Sequence, residues 1–257
     1  MQKIGHEMGA LPGQIAAGFA FYTCLPVPIS WTLRFNGIAR IAPAIGLVIG
    51  GLLGLLDGGL AWMGLPQLTR SAIVVTSWIA ITGGLHLDGA MDAADGLAVT
   101  DPERRLQVMT DSATGAFGAM AACVLVGLKT VALSEISSDR AFVLMGAAGW
   151  GRWGQLLAIA RFPYLKPTGK GAFHKASIRS TWETVPSLLV LLGLSGVEFF
   201  LHPARGSLSL GLALGGGTIA VLTGTWFHRK LGGQTGDTYG AIVEWTEALL
   251  LCWLTAW

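Results

Sequence analysis

Three aspartates spaced four and three residues apart, Asp88, Asp92 and Asp95, stand in the stretch Gly83-Gly84-Leu85-His86-Leu87-Asp88-Gly89-Ala90-Met91-Asp92-Ala93-Ala94-Asp95-Gly96. On a helix of 3.6 residues per turn they share one face, within an arc of roughly 60°. Like charges so placed repel by about a few tenths of a kcal/mol per pair. At membrane depth a carboxylate costs about 3 kcal/mol or more. A cation among the carboxylates removes the conflict, and so does a helix end standing in water. The solvated end accounts well for one aspartate and poorly for three at this spacing. Oxygen donors of this kind select Mg²⁺, Mn²⁺ or Ca²⁺ over zinc. Gly89 and Gly96 leave room for a phosphate or a second helix to approach the backbone.

Further acids and bases fall in connections expected on the same side. Asp111 precedes an apolar run, in Asp111-Ser112-Ala113-Thr114-Gly115. Asp237 lies in Gly232-Gly233-Gln234-Thr235-Gly236-Asp237-Thr238-Tyr239-Gly240, with Glu244 and Glu247 three residues apart just beyond it. An unpaired Glu244 in lipid would be costly, so it is expected to face the bundle. Arg152, inside an apolar segment, reads either as a counter-ion to one of these acids or as an anion clamp. The basic loop from Arg161 to Arg179, with Lys166 and Lys170, suits polyphosphate or acidic headgroups, or serves only to set topology. His86 points about 200° away from Asp88 on the same helix and reads as a packing or supporting residue. Asp57, Lys129 and Glu198 lie towards the outer ends of their segments, where snorkelling explains them.

These residues need helices to position them. Of the 257 residues 52% are hydrophobic and 12% charged, and there are 37 glycines; a soluble domain is usually about one quarter charged. The mean hydropathy is +0.58. Apolar segments near 41–63, 71–90, 115–134, 141–161, 183–201, 207–227 and 239–257 suggest an all-α polytopic membrane bundle of about seven transmembrane helices. It forms a single integral membrane domain over 1–257, in which residues 1–40 are an N-terminal arm. Ile15 to Leu25, fenced by Pro12, Pro26 and Pro28, is too short to cross and reads as an interfacial or re-entrant helix rather than a signal peptide. The pairs Gly50-Gly51, Gly58-Gly59 and Gly83-Gly84 and the triplet Gly215-Gly216-Gly217 read as helix-packing positions.

Lys3, Arg34, Arg40, Arg104, Arg105, Arg161, Lys166, Lys170, Lys175, Arg179, Arg229 and Lys230 fall on the N-terminal side of this topology. Only Arg70, Arg140 and Arg205 fall on the other. By the positive-inside rule the N-terminus and the acidic stretch are cytoplasmic, in the inner membrane. A net charge of +2 without a basic run excludes nucleic acid as a partner. Cys24, Cys123 and Cys252, few and scattered, make neither a disulfide framework nor a zinc site and read as small packing residues.

Read together, Leu25-Pro26-Val27-Pro28, the segment Gly-Gly-x-His-x-Asp-Gly-x-x-Asp-x-x-Asp-Gly, Met109-Thr110-Asp111-Ser112, Arg152 and Gly-Gly-x-Thr-Gly-Asp-Thr-x-Gly-Ala at 232–241 resemble the cobalamin synthase family, the adenosylcobinamide-GDP ribazoletransferases. Ala113 and Cys24 stand where that family tends to carry basic residues. The resemblance implies an Mg²⁺-dependent enzyme whose substrates are adenosylcobinamide-GDP and α-ribazole or its 5′-phosphate. A ribose hydroxyl would attack the phosphorus nearer cobinamide and GMP would leave. It implies Asp88, Asp92 and Asp111 as metal ligands, Asp92 and Asp95 as catalytic residues with Asp95 taking the proton, and Arg152, Lys166, Lys170, Asp237 and Glu244 around the substrate. Membrane lipid and a second copy of the chain are the further expected partners. The acidic segment is also similar to that of CDP-alcohol phosphotransferases, although Asp92-Ala93 departs from their pattern. From the residues alone, a cation-coupled transporter stands as the rival class.

Overall fold

The computed structural model describes residues 11–28, 30–111, 113–166, 169 and 171–257. Among them every regular element is helical, apart from one isolated bridge between Tyr164 and Gln234. The α-helices are α1 (Leu11–Tyr22), α2 (Ala42–Trp62), α3 (Gln67–Thr82), α4 (Leu85–Ala98), α5 (Pro102–Val108), α6 (Ala116–Glu135), α7 (Arg140–Arg161), α8 (Ala172–Ser177), α9 (Val185–Leu201), α10 (Gly206–Leu231) and α11 (Gly236–Leu254). The all-α expectation therefore holds.

Four stretches are long and apolar enough to cross a membrane: Ile38–Trp62, Ala116–Glu135, Thr181–Leu201 and Gly206–Leu231. α3 and α4 pass the same test only as a pair bent by 91°. By length and apolar composition that makes four candidate spans, or five with that pair, so the seven expected from the sequence are not confirmed. The segment expected at 71–90 is broken because Gly83 and Gly84 both adopt left-handed backbone, at φ 61° and 69°, which only glycine accepts in succession at low cost. α4 thus turns away from α3, and its 14 residues reach only about 21 Å, too short to cross alone. α7 and α11 also fall short in apolar character, and for a structural reason. They lie at the centre of the bundle with most of their residues buried, so other helices rather than lipid surround them. A buried helix can carry polar groups wherever a neighbour supplies the partner.

Glycine sets the tightest contact. Gly46, Gly50 and Gly54 recur every fourth residue on α2, and a side chain at any of them would strike α7 at Ala148, Leu144 or Ala141. This is the small-residue spacing that lets two membrane helices approach backbone to backbone. α1 lies against this pair, burying Ala17 and Tyr22 in the core. Its 12 residues do not cross, in line with the short N-terminal helix expected. The three cysteines are free, and Cys24 and Cys123 are exposed rather than packed inside.

Two buried ion clusters replace the snorkelling expected of Asp57 and Lys129. Asp57 accepts from Arg140 Nε and Nη2, both at 2.8 Å, and pairs with Arg70 at 3.3 Å. Arg140 also donates to Ser71 Oγ and to the backbone carbonyls of Leu133 and Ile136. Lys129 Nζ reaches Glu244 Oε2 at 2.7 Å and Glu247 Oε2 at 2.5 Å, and Arg152 Nη1 reaches Glu247 Oε1 at 2.8 Å. Two cations thus meet two anions in the core. Glu198 pairs with His202 at its helix end.

Candidate active site

The Gly-Gly-x-Thr-Gly-Asp-Thr segment acts first as a helix start. Gly232, at φ 81°, ends α10. Thr235 then caps α11: its Oγ1 accepts from Thr238 N while Thr238 Oγ1 accepts from Thr235 N, a reciprocal capping box. Gln234, fully buried, donates to Gly224 O and accepts from Thr238 Oγ1. The loop after α7 pairs with this turn, Leu165 N donating to Gln234 O and Gln234 N to Pro163 O. That pairing carries Lys166 to Asp237, where Nζ and Oδ2 are 2.8 Å apart.

α4 crosses α11 at two glycines. The backbone of Asp237 lies so close to Gly89, and that of His86 so close to Gly240, that neither position has room for a β-carbon. This crossing brings Asp88 and Asp237 onto the wall of one cavity of about 530 Å³, together with Phe21, His86, Thr110, Gln155, Tyr164, Lys166, His174 and Tyr239. Asp92 is not on that wall but lies within electrostatic reach of Asp88 and Asp237. Partial burial first, then the charges of Asp88, Asp237 and Asp95, push its carboxyl up to about 6, against a smaller opposing effect of Lys166. Asp95 looks elsewhere on the same helix. Its oxygens accept from Gly115 N at 2.7 Å and Gly118 N at 2.8 Å, so it caps the start of α6 from across the interface.

The other residues singled out in the sequence fall as follows. Asp111 is exposed, accepts from Ala113 N and does not line the cavity, although its neighbour Thr110 does. Of the two readings of Arg152, the geometry shows the counter-ion: it is fully buried and bonded to Glu247 and Ala148 O. Glu244 faces the bundle as expected and is bound to Lys129. Lys170 lies outside the described residues. Among the described residues no three His, Cys, Asp or Glu side chains converge on one point at ligand spacing. The donor chemistry nevertheless fits Mg²⁺, which commonly takes one or two protein carboxylates and completes its shell with water and substrate phosphate.

Sequence reasoning missed the uncharged part of the wall. Phe21 comes from α1, Gln155 from α7, His174 from α8 and Tyr239 from α11. Burial pushes the His174 imidazole down to about 4, so it is neutral at pH 7. Gln155, a polar residue inside an apolar run, was the only one of the four with a visible signal.

The model of the cobalamin-5-phosphate synthase family matches residues 14–255. A protein of Trichormus variabilis named adenosylcobinamide-GDP ribazoletransferase is 58% identical over 241 residues, covering 94% of this chain and 96% of its own. Proteins of the same name from Synechococcus sp. and Synechocystis sp. are 50% and 47% identical, the first covering 92% of this chain and 94% of its own, the second 94% of each. No solved structure matches the chain. With the acidic helix, the capped Gly-Asp-Thr turn and the cavity between them all inside the matched residues, the chain belongs to the cobalamin-5-phosphate synthase family.

Proposed function

We propose that the chain is an adenosylcobinamide-GDP ribazoletransferase, joining α-ribazole or its 5′-phosphate to adenosylcobinamide-GDP with release of GMP. The likeness to relatives of that name over nearly the whole chain carries this reading. The cavity supplies the chemistry it needs. Asp88 and Asp237 would hold Mg²⁺, with Asp92 within electrostatic reach of both. Bound there, the cation would neutralise the pyrophosphate and stabilise the departing phosphate. Lys166, steered by Asp237, presents a positive charge to the same oxygens. A base is most effective near the working pH, so Asp92 is the carboxylate assigned to receive the proton of the attacking hydroxyl. Asp95 is assigned the positioning of α6 against α4 through its two backbone bonds. Asp111, outside the cavity wall, is given no ligand role. The bond formed joins the ribose oxygen to the phosphorus nearer cobinamide, and the bond broken is the one from that phosphorus to the oxygen carried off by GMP.

On the seven-segment topology read from the sequence, the excess of Lys and Arg in the connections on the N-terminal side supports an inner-membrane location with the cavity facing the cytoplasm. Incubating the purified chain with adenosylcobinamide-GDP and α-ribazole tests the reaction. GMP is expected with Mg²⁺ present and none after chelation, and Asp92→Asn is expected to abolish release while leaving the thermal transition in place. Release at the full rate in chelator, or in Asp92→Asn, would refute the metal and base assignments; no release under any condition would refute the activity.

A further inference from the structure

The cavity has a second kind of wall. His86, Gln155, His174 and Tyr239 all line it, and they are only 2%, 5%, 2% and 1% exposed. Each also carries a polar atom with no hydrogen-bond partner: both ring nitrogens of His86 and of His174, Oε1 of Gln155 and Oη of Tyr239. Native proteins bond nearly all their buried polar atoms, because an unpaired one forfeits its hydration. Such atoms gathered on one cavity wall, from four helices, are the pattern of a binding surface rather than of scattered packing defects.

The wall is also aromatic. Tyr22 stacks between the two imidazoles, with centroids 6.1 Å from His86 and 6.0 Å from His174 and planes within 19° and 17°. Tyr239 stacks on Tyr164 at 5.9 Å. Elsewhere on the same wall stand Asp88, Lys166 and Asp237, which are ionic. A nucleotide divides in the same way, into a flat base with polar edges and a charged phosphate. A volume of about 530 Å³ lies within the roughly 300–1,000 Å³ of small-ligand sites. It suits one nucleoside unit and is too small for a corrin ring with its side chains.

We propose that His86, Gln155, His174 and Tyr239 form the seat of a nucleoside's planar heteroaromatic base, with the corrin remaining outside the cavity. This rests on the activity assigned above only for its choice of nucleosides. Two bases have the required chemistry, the guanine of the GDP unit and the benzimidazole of α-ribazole, and binding experiments separate them.

The full chain in detergent is titrated separately with GMP, with α-ribazole and, as a baseless control, with ribose 5-phosphate. The comparison covers wild type, Tyr239→Phe and Gln155→Leu. Each variant should weaken GMP, α-ribazole or both by about two- to tenfold, the worth of one hydrogen bond, and leave ribose 5-phosphate unchanged. Without ligand, Tyr239→Phe should melt at or above the wild-type temperature, because it removes a hydroxyl that has no partner; a hydroxyl needed for folding would give a lower one. The proposal fails if wild type binds neither nucleoside better than ribose 5-phosphate, or if both variants bind both as wild type does. GMP release is read in parallel. Turnover with unaltered variant binding removes the base seat and keeps the activity; altered binding without turnover does the reverse.

Discussion

The crossing of α4 and α11 is testable with a single methyl group. A β-carbon on Gly89 would lie 2.7 Å from Asp237 O and 3.1 Å from its Cα, whereas ordinary contact begins at 3.4 Å. The obstacle is backbone, which has no rotamer to change, so the helices must part by about 0.7 Å, the difference between 3.4 and 2.7 Å. Overpacking of this kind costs about 1–3 kcal/mol. Replacing a helical glycine with alanine returns about 1 kcal/mol, so Gly89→Ala should lose about 0–2 kcal/mol. For a chain of this size that is a fall in Tm of at most about 8 °C. The effect on rate should be larger, since the shift falls between Asp88 and Asp237. A displacement near 1 Å costs on the order of 100-fold in a positioned reaction, and GMP release should drop by a few tens-fold or more. Gly127→Ala is the control. It sits on α6 with nothing within 4 Å of the added carbon, so it should keep the rate and hold or raise Tm. A wild-type rate in Gly89→Ala, or an equal loss in Gly127→Ala, would refute the claim that this contact sets the site.

Three further outcomes are expected. The Mg²⁺ concentration giving half-maximal rate should be level above about pH 7 and rise as the pH falls through about 6. Asp92 takes up a proton in that range and its charge no longer helps to attract the cation; a level response down to pH 5 would contradict this. Lys129→Met leaves Glu244 and Glu247 with Arg152 alone and should cost about 3–5 kcal/mol. Adding Glu244→Gln should recover much of the loss of Tm, because the core is then again close to neutral. Asp95→Ala removes the cap of α6 and should cost about 1–2 kcal/mol in thermal unfolding. Asp95→Asn keeps an acceptor oxygen and should retain most of its GMP release; a loss as complete as in Asp92→Asn would return Asp95 to the proton-transfer step.

How far the site could be read in advance follows from how local each signal is. Asp88, Asp92 and Asp95 sit within two turns of one helix, so spacing alone revealed the crowding. It did not reveal that Asp95 bonds to α6, since Gly115 and Gly118 lie 20 and 23 residues on. The 232–241 segment was recognisable as a pattern, yet its capping box and its pairing with the loop before Lys166 emerge only in three dimensions. Lys129 and Asp57 were misread for the same reason. Distance from a span end is a one-dimensional measure, and their partners stand 115 and 83 residues away. Hydropathy alone did not settle the count of spans. It treated Ser71 to Ala90 as one rod although Gly83-Gly84 turns the chain, and it treated α7 and α11 like helices that face lipid.

The central ion cluster and the cavity are joined through α11. That helix carries Asp237 in its first turn, Tyr239 and Gly240 at the crossing with α4, and Glu244 and Glu247 two turns further in. A helix driven only by apolar packing could rotate about its axis at modest cost. With Glu244 and Glu247 held by Lys129 of α6 and Glu247 also by Arg152 of α7, rotation would strand buried charge, which costs several kcal/mol. The cluster therefore fixes the face that α11 turns to α4, and with it the approach of Asp237 to Asp88. Asp95 adds the third side of the frame by tying α4 to α6. Four helices that lean on one another through charge hold the carboxylates close despite their repulsion, and Asp92 is raised first by its burial there and then by the neighbouring Asp88 and Asp237.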